Sequence, residues 1–118
     1  MLSVRRGTQA VEFYKEALGA VVVQKFENDG SIVAHLNIHG SPFWVADESP
    51  AHKNFSPETI GGSTVRLVLT VQDPDSVFAR AVSAGATAVS PVEDKEYGWR
   101  VGRVADPFGH QWEIGKPL

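Results

Sequence analysis

The chain has 118 residues, 42% of them hydrophobic and 21% charged, the make-up of a globular protein with room for one modest core and not for two ordinary domains. Its net charge of −3 comes without a basic block, which argues against nucleic acid or an anionic membrane as a partner. Cysteine is absent, which excludes disulfides and thiolate metal sites; no apolar run approaches the roughly 20 residues of a membrane span and the N-terminus has no signal-peptide core, so a cytoplasmic protein is expected.

Only Met1 to Arg5 precede the first helical pattern, so the first strand is short. From Thr8 onward, Ala10, Phe13, Tyr14, Ala17 and Leu18 make the stripe of a helix with one buried face, which Thr8 can cap and Gly19 can end. Its aromatic residues read as helix-to-sheet core. Val21-Val22-Val23 then begins a β-branched run. Ser31 to Ile38 alternates Ile32, Ala34, Leu36 and Ile38 against Val33, His35 and Asn37, the pattern of a strand with one buried face. Pro42 to Ala46 is a further strand after the turn at Gly40-Ser41. Residues 48–63 hold Pro50, Pro57, Gly61 and Gly62 with little periodicity and read as a linker.

The second half repeats the layout. Thr64 to Val71 is a strand with Val65, Leu67, Leu69 and Val71 on one face. Asp73 as N-cap and Pro74 at the first helical position open a second helix, with Val77, Phe78, Ala81 and Val82 as its buried stripe and Gly85 past its end. Thr87-Ala88-Val89 starts another strand, and Glu93 to Glu96 reads as a solvated hairpin. Tyr97 to Ala105 is a strand whose register Gly98 and Gly102 leave open. Asp106-Pro107-Phe108-Gly109 suits a type I turn. In the last strand Trp112 and Ile114 share one face, while Gln111 and Glu113 share the other. A carboxylate centred in an otherwise apolar strand is costly to bury without a partner, so Glu113 is a site residue or half of a pair.

The order is βαβββ–linker–βαβββ, an internal duplication. It predicts a single α+β domain over residues 1–118: module one at 1–47, linker at 48–63 and module two at 64–118. Two curved mixed sheets would enclose a cavity, with the helices on their outer faces.

Several runs together resemble the glyoxalase/bleomycin-resistance/extradiol-dioxygenase superfamily, also called vicinal oxygen chelate proteins, and in particular its PhnB-like branch. They are Val11 to Ala20, Gly61-Gly62, Val71-Gln72-Asp73 with Val77-Phe78, Ala84 to Thr87, Tyr97-Gly98 and Asp106 to His110. The resemblance implies fold more firmly than chemistry, because such a fold hosts isomerases, dioxygenases, lyases, thiol transferases and metal-free drug-binding proteins. It also implies four inward strand positions that supply His, Gln or Glu to a metal in the metal-dependent members. Glu113 matches one of them. The internal repeat, aligning Gly40 with Gly109, puts Trp44 at the module-one equivalent; Arg66 occupies a third; the fourth falls at Met1 or ahead of it. One ligand position in four is kept, and a guanidinium beside it repels a divalent ion, so no metal or other cofactor is expected.

The histidines do not replace the missing ligands. His35 and His39 are read on one strand face, but four residues of strand span about 13 Å. His110 should lie with Trp112 opposite Glu113, and His52 is in the linker; each reads as a polar surface or cavity-wall residue. Arg66 and Glu113 are expected to form a buried cross-strand ion pair, from which removing one member would cost about 3–5 kcal/mol.

Around that pair, Trp44, His35, Asn37, Thr70 and Gln111, with Tyr97 or Trp99, would make an aromatic wall bearing a few polar groups. Such a wall suits a planar or aromatic small molecule. Two functions follow: metal-independent sequestration of such a molecule, or isomerase, lyase or dioxygenase chemistry with Glu113 as base or metal ligand and Arg66 stabilising negative charge. An Arg beside a Glu favours the ionised carboxylate and opposes the base role, so sequestration is preferred. The resemblance and an open sheet edge both imply a homodimer that completes the cavity across chains.

Overall fold

In the computed structural model, which describes residues 1–118, the chain forms two four-stranded sheets in succession. Module one comprises β1 (Leu2–Val4), α1 (Gly7–Leu18), β2 (Val21–Asn28), β3 (Ser31–Ile38) and β4 (Ser41–Asp47). After a connecting segment that carries α2 (Pro57–Ile60), module two comprises β5 (Arg66–Thr70), α3 (Pro74–Ser83), β6 (Thr87–Asp94), β7 (Trp99–Ala105) and β8 (Gln111–Pro117). Strand orders are β1-β4-β3-β2 and β5-β8-β7-β6. The first strand of each module pairs parallel to the last, and the other pairs are antiparallel. The duplicated α+β architecture is therefore as the sequence predicts.

Alternation fixes the faces. Ile32, Ala34, Leu36 and Ile38 are buried beneath α1, whose stripe Ala10, Phe13, Tyr14, Ala17 and Leu18 packs on them. In module two, Gly102 marks the place where the α3 residue Phe78 lies against the sheet, since a Cβ there would come 3.0 Å from the Phe78 ring and 2.8 Å from Val92. The two modules share one core. Phe108 and Trp112 of module two meet Phe13, Tyr14 and Phe43 of module one at ring-centroid distances of 5.6–6.2 Å. At the helix–helix contact, Arg80 on α3 donates to the Glu16 carbonyl at 2.6 Å, putting a cation on carbonyls at the C-terminal end of α1.

Four local expectations are corrected. Thr8 does not cap α1: the helix begins at Gly7, and the Gly7 N–H is taken by the Asp47 carboxylate at 2.8 Å. The segment between modules is not structureless, for it holds a 3-10 turn at Pro50–His52 and α2, with Ser56 as N-cap. Glu48 straps it down, accepting from Ser56 N at 2.9 Å and Thr59 Oγ1 at 2.8 Å, and these bonds with nearby Arg5 lower its pKa. Tyr97 lies in the β6–β7 turn and not in a strand. His39 has left β3 for the next turn, with a left-handed φ of 49°, so it does not share a strand face with His35.

Each sheet buries one face under its helix and leaves the other open. The concavities of about 130–470 Å³ on the single chain do not include His35 or Trp44 in their walls.

Candidate functional site

On the open face of module two, register sets the neighbours. Arg103 on β7 lies opposite Glu113 on β8, and Val68 on β5 flanks Glu113 on its other side. Glu113 Oε2 is 3.4 Å from Arg66 Nε, and Glu113 Oε1 is 3.4 Å from Arg103 Nη2. Arg103 Nη1 also reaches Gln111 Oε1 at 3.4 Å. The expected Arg66–Glu113 contact thus forms, but not as a buried pair: the Arg66 side chain is 56% exposed and that of Glu113 23%. A half-solvated pair contributes about 0–1 kcal/mol, far below the cost expected for a buried one.

Beside Glu113 lie two adjoining concavities. One, of about 130 Å³, is walled by Val68, Tyr97, Trp99, Val101 and Glu113. The other, of about 230 Å³, includes Ser90, Lys95, Tyr97, Arg103 and Glu113. Of the residues singled out in the sequence, Glu113, Arg66, Gln111, Tyr97 and Trp99 are brought together here. Thr70 lines neither concavity beside Glu113 but two hollows of about 410 and 470 Å³, the second of which Arg66 also lines. Arg103 was missed: the open register around Gly102 hid it, although the duplication pairs it with His35, since His35 lies opposite Trp44 as Arg103 lies opposite Glu113.

Trp44 and His35 form a second group, on the open face of module one. Their rings stack at 4.6 Å with 7° between planes. Asn37, placed on the same face, spends its carboxamide oxygen on Gly40 N at 2.7 Å and so closes a turn. The repeat is also shifted from the sequence alignment. Leu2 pairs with Val45 as Leu69 pairs with Ile114; the offset is 69 − 2 = 67, so Met1 corresponds to Val68, and the counterpart of Arg66 falls ahead of Met1.

The Asp106 turn proves to be an interior feature. Asp106 is buried and accepts from Phe108 N, His110 N and Trp112 Nε1, each at 2.9 Å, and from Tyr14 Oη at 2.5 Å. Burial, then the Asp106 charge, push the Tyr14 pKa well above its ordinary value, so the phenol stays protonated and donates. His110 is buried, not a surface or cavity-wall residue. Its Nε2 lies 2.9 Å from the Ser3 carbonyl, which can only accept, so Nε2 carries the proton. Gly109 turns the chain with φ of 91° and lies against Pro57 of the connecting segment.

With this geometry in place, the comparisons are consistent with one another. Residues 1–114 match the Glyoxalase/Bleomycin resistance protein/Dioxygenase superfamily. An uncharacterized protein of Mycobacterium bovis is 40% identical over 99% of this chain and 80% of its own length. TioX from Micromonospora sp. ML1 superposes with a TM-score of 0.78 at 27% identity, over 99% of this chain and 94% of that one. An Arabidopsis thaliana gene product does so with 0.77 at 33% identity, over 98% and 92%. The chain belongs to the glyoxalase/bleomycin-resistance/dioxygenase superfamily.

Within one chain, Glu113 is met by two guanidiniums, Trp44 cannot ligate, and no three His, Asp or Glu side chains form a group able to hold a metal ion.

Proposed function

We propose that this protein binds a small planar or aromatic molecule on the open face of module two without a resident metal, as a cytoplasmic homodimer of the bleomycin-resistance type nearest the PhnB-like branch. The observation that carries this reading is the surroundings of Glu113. Two arginines contact Glu113, and Tyr97 and Trp99 line the concavity beside it. Aromatic side chains offer planar ligands a large contact area at small entropic cost.

A second copy supports the same reading. Each chain has one open face bearing His35 stacked on Trp44 and one bearing Glu113. A two-fold operation sets the first against the second twice, making two equal composite sites. The enzymatic alternative needs Glu113 as a base or a metal donor, but both of its carboxylate oxygens are already met by guanidiniums.

The test combines elemental analysis of the purified protein with thermal shifts. Metal below stoichiometry, a melting temperature indifferent to chelator, and a rise on adding planar aromatic compounds are expected, since a ligand bound only by the native state stabilises it. A stoichiometric divalent ion that is lost in Glu113→Gln would overturn the reading in favour of catalysis.

A further inference from the structure

We propose that the ligand of this face carries an oxyanion, such as a carboxylate, and that Glu113 is an internal counter-ion which the oxyanion displaces from Arg103. The inference rests on the planar-ligand reading above and deepens it.

Charge around the two concavities is unbalanced. Arg66, Arg103 and Lys95 face Glu113 and Glu93, the last of which is already matched to Lys95 at 2.6 Å. Three cations less two anions leave one positive charge, and it sits on the two guanidiniums that share Glu113. Their contacts are also slack. All three polar contacts of this cluster, Arg66 to Glu113, Arg103 to Glu113 and Arg103 to Gln111, are 3.4 Å long, whereas charge-assisted N–H···O bonds settle at about 2.7–2.9 Å. A guanidinium has five donors in a planar fork, and Arg103 uses two of them in these contacts.

Arg103 lines the more polar concavity while Tyr97 and Val101 line both, so a flat ligand lying on Trp99 and Tyr97 would project a substituent toward Arg103. A carboxylate on that substituent can take the fork with two parallel bonds, which a carboxylate tethered to β8 at 3.4 Å does not achieve. Glu113 then serves selectivity: it offsets one of the two guanidinium charges in the absence of ligand and yields to a better-placed anion.

Isothermal titration of the full chain with 1-naphthoate and its neutral isostere 1-naphthamide, at pH 7 and low salt, tests this. The acid should bind several-fold tighter than the amide. Glu113→Gln should tighten the acid about tenfold relative to the amide by removing its competitor. Arg103→Met should bring the acid down to the affinity of the amide. A gain of affinity in Glu113→Gln cannot come from misfolding, so the proposal survives a poorly folded Arg103 variant. Equal binding of acid and amide, or a Glu113→Gln protein that binds the amide normally and the acid no better, overturns the counter-ion role alone. Binding of neither probe by the unmodified protein overturns the planar-ligand reading and this inference with it.

Discussion

At Asp106 a single buried carboxylate accepts four hydrogen bonds, two from backbone and two from side chains. The turn around it, closed by Gly109 N–H on the Asp106 carbonyl at 3.1 Å, was legible from Asp-Pro-Phe-Gly, because turn preference is local. Its burial was not, because Tyr14 reaches it from 92 positions away. Glu113 stood out for a similar local reason, a charge amid apolar alternation, while Arg103 was concealed by a neighbouring glycine.

Tyr14 also gives a pH prediction. Its pKa is raised in the folded chain, so the stability it contributes is fully present below the unfolded value near 10 and is lost as pH rises through the folded one. Tyr14→Phe should cost about 1.5–3 kcal/mol at neutral pH, as loss of a hydrogen bond to a charged group does. It should also flatten the decline in urea midpoint above about pH 10. An alkaline decline as steep as in the parent would mean that Tyr14 is not its source.

Helix starts illustrate what an element reveals of itself. Asp73 was read as the cap of α3 and is one: its side chain accepts from Ser76 N at 3.2 Å, with Pro74 next in the chain. For α1 the same reasoning chose Thr8 and failed, since the group that satisfies Gly7 N comes from the end of β4. A local cap can be read from adjacent residues; one delivered by tertiary structure cannot. Asp73→Ala should therefore lower stability by about 0.5–2 kcal/mol in urea unfolding, and Thr8→Ala by less than about 0.5 kcal/mol. Comparable losses for the two would contradict these cap assignments.

For the whole molecule, the duplication was readable because each module repeats helix, glycine and alternating strands in order. How the modules sit together was not, since it depends on aromatic contacts between residues far apart in the chain. The longest extent of the chain is 46 Å, and Phe108 and Trp112 join the modules through Phe13, Tyr14 and Phe43. Module one leaves Val21, Val23 and Phe26 exposed along β2, a surface that pairing of two chains would cover. Sedimentation should accordingly show a two-chain species, and Val23→Glu with Phe26→Glu should shift it toward the single chain. A parent protein that sediments as one chain at all concentrations would contradict the homodimer.

The bond from Tyr14 to Asp106, together with that from His110 to the Ser3 carbonyl, stitches module one to the last turn of module two. Rotating one module against the other would strand a buried carboxylate and two rings at once, so such a hinge is closed to this protein. Under the proposed binding role, adjustment to ligands of different size would fall to the loop bearing Tyr97, which is 70% exposed. The scaffold would then stay fixed, with the proposed recognition tuned at its rim.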